Sequence, residues 1–255
     1  VELADLLSPS GLAYPLLLNF RFGGERLMIG DRVLLEIIRS GNTFSGNMQK
    51  EGGRQPYLTC DITTSAPPLF EDESKAITAL SSQPSMNSSP LVMPNFANRI
   101  IFTPESQHLH KYRTFYFREN QDGRVYVKCS LTDCRDKDNG VDINKMGEHL
   151  HPGAIITILD ETLGWAGFFA SWQGGVTINI SAYFPAPIVP GGSLYSVGYC
   201  ERTYGTFQRK IAYAQGGFFE KKEGHKRLVA YASGRWLTKP EYKEKMLKYI
   251  TSYSP

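Results

Sequence analysis

Gly-x-Ser-x-Gly occurs nowhere in these 255 residues, so the strained turn that presents a serine nucleophile in α/β hydrolases has no counterpart here. Gly-x-Gly-x-x-Gly is missing too. The glycine pairs that begin at Gly23, Gly52, Gly174, Gly191 and Gly216 stand between strand-like segments without that spacing, which leaves a nucleotide cofactor without support. Cysteine is scarce: Cys60, Cys129, Cys134 and Cys200 form no Cys-x-x-Cys pair and fall mostly in strand-like segments, which predicts free, buried thiols in a reducing compartment. A net charge of +3 without any dense Lys/Arg run gives no electrostatic footprint for nucleic acid. The most apolar stretch, residues 154–170, is broken by Thr157, Asp160, Glu161 and Thr162, so it predicts a helix of a soluble protein and no membrane span. No charged-then-apolar leader opens the chain. Val1 is not an initiator methionine, and the chain is expected to begin inside a longer natural protein of intracellular, cytoplasmic or mitochondrial location.

What is present is an ordinary globular composition, 41% hydrophobic and 21% charged, in a chain long enough to build a core without disulfides. Pro67, Pro68, Pro84, Pro90 and Pro94, with a Ser/Asn cluster, mark residues 67–94 as a linker. Beyond it, Asn120-Gln121-Asp122-Gly123 is a turn signal inside a hairpin predicted over residues 112–131. Ile155, Ile156, Leu159, Leu163, Trp165 and Phe169 predict a helix over 153–171. Strands are expected near 176–184, 194–200, 209–219 and 228–237. One helix wrapped by an antiparallel sheet is an α+β architecture. Residues 241–255, basic but rich in glutamate, read as a solvated helix or tail.

The helix opens on His151-Pro152-Gly153, and Asp160 lies two turns inside it. Proline is pre-organised for the first helical position, which turns the amides of Gly153 and Ala154 out of the helix start, where negative charge is favoured. Seven residues at about 100° each return Asp160 to within roughly 20° of the face of Gly153. Amide donors and a carboxylate thus share one face, a geometry for polarising a carbonyl and activating water, or for direct attack. The plain alternative is that Asp160 and Glu161 form the solvated edge of an amphipathic helix. Glu148, His149 and His151 lack the further ligands of a metal site, so no metal is expected. Trp165, Phe168, Phe169 and Trp172 have core spacing, with Phe168 or Trp172 also placed to line an acyl tunnel.

This stretch resembles the core motif of hotdog-fold acyl-CoA thioesterases of the phenylacetate-pathway type, most closely the mitochondrial thioesterase-superfamily branch, in which a His-Gly-Gly turn opens the central helix and an acidic residue follows nine positions after the His. Gly174-Gly175-Val176-Thr177-Ile178-Asn179-Ile180 is similar to the strand after that helix, and Tyr183-Phe184-Pro185-Ala186-Pro187 to the turn that ends it; the resemblance spans about residues 95–239. It implies a hotdog fold, Asp160 as general base or nucleophile, and Thr177 as the side chain that places water or carboxylate. His151 would hold the loop or neighbour the substrate carbonyl. In the family the oxyanion amide is usually that of the residue after the His; here Pro152 has no N–H, and the role moves to Gly153. Pro185 and Ala186 replace basic residues that meet coenzyme A, leaving Arg209 and Lys210 as the expected phosphate contacts. The implied partner is an acyl-CoA or a carrier-bound acyl thioester, with no cofactor. The Pro152-Gly153 pair also resembles hotdog dehydratases, so a dehydratase or cyclase on an acyl or polyketide intermediate is the alternative. A catalytically silent hotdog that binds acyl groups or a protein is the third.

The chain also repeats itself. Ile29 to Glu36 followed by Gly41-Asn42-Thr43-Phe44 parallels Pro190 to Val197 followed by Gly205-Thr206-Phe207, with Leu16 to Phe22 in the part of Thr177 to Phe184 and Tyr57 to Thr64 in that of the strand around Phe218. A repeated supersecondary unit points to two tandem copies, as in double-hotdog thioesterases. The expected organisation is an incomplete first copy at 1–66, the linker, a hotdog domain at 95–240, and the tail, paired as a homodimer or as a pseudo-dimer within the chain. Chance similarity of short strands between glycine turns is the competing reading.

Overall fold

The apolar run that opens at Pro152 is a 20-residue helix, α1 (Pro152–Ser171), in the computed structural model, which describes residues 17–23, 28, 30–63, 113–119, 124–131, 145–146, 149–150, 152–185 and 193–244. Proline takes the first helical position, where its missing N–H costs nothing. The helix stops at Trp172, whose φ of 52° is left-handed backbone that cannot continue it.

Among the described residues twelve strands accompany it: β1 (Leu17–Phe22), β2 (Val33–Ser40), β3 (Thr43–Lys50), β4 (Pro56–Thr63), β5 (Arg113–Glu119), β6 (Val125–Leu131), the two-residue β7 (Lys145–Met146) and β8 (His149–Leu150), β9 (Gly174–Tyr183), β10 (Ser193–Thr206), β11 (Arg209–Lys222) and β12 (His225–Lys239). Ten form one antiparallel sheet in the order β2-β3-β4-β1-β9-β12-β11-β10-β6-β5, and a 3-10 turn at Pro240–Tyr242 follows the last strand. The sheet is longer than the sequence pattern implied, because β10 and β11 run for 14 residues and β12 for 15, into ends whose exposed polar residues break the apolar alternation. No helix of the described residues is long and apolar enough to cross a membrane.

Directly paired residues point to the same face, so the register can be followed across the sheet. Cys200, Ala214, Gly234, Ile180, Phe20, Cys60, Gly46 and Ile37 form one row from β10 to β2. On the β10–β12 side this face carries α1. Small strand residues let the helix come close: Ala212, Ala214, Ala230 and Ala232 are sealed from solvent, beneath helix residues Leu159, Leu163 and Phe168. Gly216 shows how tight the fit is. A Cβ there would lie 2.5 Å from the Val197 carbonyl oxygen and 2.8 Å from Leu163 Cδ2. Each large side chain so buried contributes about 1.5–3 kcal/mol. One buried polar contact ties helix to sheet, Thr162 Oγ1 to Ser196 Oγ at 2.6 Å, while Thr162 also donates to the Ile158 carbonyl at 2.8 Å. On the opposite face the Tyr231 hydroxyl donates to Gln215 Oε1, and Gln215 Nε2 donates to the Tyr199 hydroxyl oxygen, both at 2.6 Å.

The order of the first four strands parallels that of β9–β12, with one correction to the expected correspondence. β4 lies between β1 and β3 as β12 lies between β9 and β11, so the described part of residues 57–64, within β4, corresponds to β12, not to the strand around Phe218. The hairpin β2–β3 already matches β10–β11, and Phe218 is in β11. Cys60, Cys129 and Cys200 are free thiols in β4, β6 and β10, whereas Cys134 and the linker at 67–94 lie outside the described residues.

Candidate functional site

Along α1, Gly153, Thr157, Asp160 and Gly164 recur at spacings of four, three and four, the signature of a single helix face. All four are half-buried, while Ile155, Ile156, Ile158, Leu159 and Leu163 on the other faces are buried. The stripe is small and polar at its start: Thr157 Oγ1 donates to the Gly153 carbonyl oxygen at 2.8 Å. Further along, Gly164 lies against Trp236, where a Cβ would come 3.4 Å from the indole Nε1.

Asp160 meets Thr177 only because of an irregularity in β9. Ile180 is 3% exposed and belongs to the core under α1, so strict alternation would turn Thr177 to the opposite face. The register shifts, however: Arg235 pairs with Asn179 but Trp236 pairs with Thr177, which leaves Ile178 as an extra residue. Such a bulge re-aims the side chains that follow it. Thr177 is thereby returned to the helix side, and its hydroxyl donates to Asp160 Oδ1 at 2.8 Å. A hydroxyl held at that length on a carboxyl oxygen fixes the plane of the acid.

The other expected site residues divide. Gly153 shares the helix stripe with Asp160, seven residues or roughly 10 Å away along the axis, and its amide, in the first turn, is directed out of the helix start. Ala154 follows it and is placed by its backbone. His151 lies outside the described residues, as does Glu148. Phe168 is 1% exposed and packs its ring against Trp165, Phe169 and Trp172 at 5.4–5.9 Å between centroids; it is part of the core between helix and sheet. Arg209 and Lys210 begin β11, beside the turn whose Phe207 carbonyl accepts from Gln173 Nε2 at 2.9 Å. That turn adjoins the C-terminal end of α1, so the structure does not bring Arg209 and Lys210 together with Gly153.

Sequence reasoning missed a second feature. The helix-bearing face of the sheet continues past β9 onto β1, β4, β3 and β2, where it forms an apolar groove of about 170 Å³. Phe44 and Ile62 close its inner wall and are nearly sealed from solvent, whereas Leu35 at the far side is 58% exposed. Cys60 lies on its floor, and burial pushes its thiol up to about 11. The strict alternation of Leu58, Cys60 and Ile62 carried the signal, but only the register shows which face of the first strands continues the face of the last.

The chain superposes on the tesB protein of Mycobacterium avium subsp. paratuberculosis with a TM-score of 0.54 at 13% identity, over 93% of this chain and 83% of that one. This is a hotdog fold. A likeness to an acyl-CoA thioesterase II, TesB2, of Mycobacterium marinum has a TM-score of 0.48 at 16% identity, over 94% of this chain and 83% of that one. No protein-family model matches the chain, and no curated protein matches it by sequence. In hotdog terms α1 is the central helix, and β1–β4 continue its sheet beyond β9.

Proposed function

We propose that the protein hydrolyses an acyl thioester, an acyl-CoA or a carrier-bound acyl group, at Asp160. The observation that carries this reading is the 2.8 Å bond from Thr177 Oγ1 to Asp160 Oδ1, made possible by the bulge in β9. The hotdog fold shared with the tesB protein is compatible with the same chemistry. The carbonyl oxygen of the substrate lies at the helix start, where the Gly153 amide is directed, and Asp160 takes a proton from water as the water oxygen bonds to the carbonyl carbon. The tetrahedral oxyanion then collapses, the carbon–sulfur bond breaks, and the thiolate leaves. Roughly 10 Å along the helix between Gly153 and Asp160 suits a carbonyl and one water, at roughly 3 Å per contact. That separation favours Asp160 as general base over Asp160 as direct nucleophile.

The chain is further read as two tandem hotdog units, the first incomplete, joined through residues 67–94 and paired as a pseudo-dimer within one chain. The matching order of β1–β4 and β9–β12 supports this, and so does the antiparallel β1–β9 ladder that joins them. Proline at the first helical position followed by glycine favours a second reading, a dehydratase or cyclase in which Asp160 moves a proton and no thiol is released.

The test is hydrolysis of a panel of acyl-CoAs, followed as free thiol, by the protein and by Asp160→Asn. Loss of about 10²–10⁴ in rate on substitution is expected for a general base. Equal turnover by the two proteins removes Asp160 from the chemistry, and loss of water from a hydroxyacyl-CoA of the panel to give an unsaturated product, or cyclisation, without thiol release establishes the second reading.

A further inference from the structure

The groove on the first four strands has the construction of a channel. Its floor is the run of small residues Cys60 and Gly46, directly paired on β4 and β3. Two positions along the strands in each direction, on the same face, stand large apolar side chains: Ile62 and Phe44 on one side, Leu58 and Met48 on the other. The channel therefore runs across the strands, from Phe20 on β1 to Ile37 on β2. Three inter-strand spacings give it a span of roughly 14 Å. Its β1 end is bounded by Phe20, which pairs with Ile180 on β9, the strand that carries Thr177.

Gly46 is the informative residue. Glycine inside a strand costs about 0.5–1 kcal/mol relative to alanine, and a strand glycine marks a bulge, a bend or the close approach of another group. Among the described residues nothing requires it here. Its φ is not positive, and an added Cβ would meet no atom nearer than the Cys60 carbonyl oxygen at 3.8 Å. What the missing side chain provides is the open floor of the channel.

We propose that this channel receives the acyl chain of the thioester, with Gly46 setting the length that is accepted. The proposal rests on the thioesterase reading for the identity of the ligand. An extended alkyl chain leaving a carbonyl at Asp160 crosses β9 and β1, passes Phe20 and lies over Cys60 and Gly46 between two largely apolar walls, with Asn47 also on the lining. The partial exposure of Leu35 on β2 leaves the far end open to longer chains.

The experiment measures binding of S-dodecyl-coenzyme A and S-butyl-coenzyme A, thioethers that cannot be hydrolysed, to the full chain by calorimetry. It is repeated with Gly46→Phe, with Gly46→Ala, and with Ser45→Phe, which places the same ring on the opposite face of β3. The ratio of the two affinities is expected to fall about tenfold or more in Gly46→Phe, the equivalent of two buried methylenes, to fall less in Gly46→Ala, and to stay unchanged in Ser45→Phe. Both glycine variants are checked for an unfolding midpoint at or above that of the parent, as removal of a strand glycine predicts. An unchanged ratio in folded Gly46→Phe, or no binding of the dodecyl compound to the parent, overturns the proposal. The two readings fail separately. Hydrolysis of acyl-CoAs with no effect at Gly46 leaves the thioesterase without the channel, whereas the expected thioether pattern without hydrolysis of any acyl-CoA leaves the channel without the thioesterase.

Discussion

Replacing Thr177 by valine keeps the shape and β-branching of the side chain and removes the hydroxyl that donates to Asp160 Oδ1. A hydrogen bond to an ionised group contributes about 1.5–3 kcal/mol, and lost from the transition state this is a rate decrease of about 10- to 150-fold. Both residues are half-buried, so water partly replaces the missing donor and the expected decrease is toward the lower end, about tenfold. It should appear in kcat, with KM within about twofold, because the hydroxyl orients the acid and does not hold the substrate. Thr177→Ser retains the donor and should remain within about threefold of the parent. Thiol release from any acyl-CoA that the parent turns over is the assay, with urea unfolding alongside to show that the valine variant differs in stability by less than about 1 kcal/mol. If Thr177→Val matches the parent, or if valine and serine reduce the rate equally, the reasoning from the bulge to the carboxylate is refuted.

Two further expectations concern the core and the thiols. Gly216→Ala forces a methyl toward the Val197 carbonyl oxygen and the Gly198 Cα, at 2.5 and 2.9 Å; because these are backbone atoms of β10, a loss of about 1–3 kcal/mol in urea unfolding is expected, and an unchanged midpoint would show that β10 and β11 leave more room at this position. Burial raises the thiols of Cys60 and Cys200 from 9.0 to about 11, which favours the protonated, unreactive form. Alkylation of both by iodoacetamide, followed by peptide mass spectrometry, should therefore be about a hundredfold slower at pH 8 than for an ordinary thiol. The rate should climb about tenfold per pH unit until pH 11, and a plateau already at pH 9 contradicts the burial argument.

The helix and its acid were legible because their signals are local. Pro152 and Gly153 mark a helix start, the apolar spacing runs to Ser171, and seven residues return Asp160 to the face of Gly153. Thr177 was legible only through the resemblance to a family motif, since Thr177-Ile178-Asn179-Ile180 alternates without a break and nothing in it announces the extra residue at Ile178. A bulge is a property of two strands, and the shift is visible only when Asn179 and Thr177 are set against Arg235 and Trp236. The correspondence of residues 57–64 failed for a related reason. A short apolar alternation fits any strand of a meander, and its neighbours on both sides decide which one it is. Arg209 and Lys210 were chosen by local similarity, yet their position is set by the length of β10 and β11, whose polar, exposed ends carry no periodic pattern.

The β1–β9 ladder has a consequence for how the molecule is made. Leu17 meets Tyr183 across it, so a segment near the beginning of the chain waits for one synthesised much later. At 5–20 residues per second that interval is on the order of ten seconds. During it the backbone donors and acceptors of β1 face outward as a bare edge, the kind of surface that recruits strands from other molecules. Ladders between such distant segments close slowly. Synthesis at low temperature, or in cells with more chaperone, should raise the yield of folded chain by guarding that edge until its partner arrives.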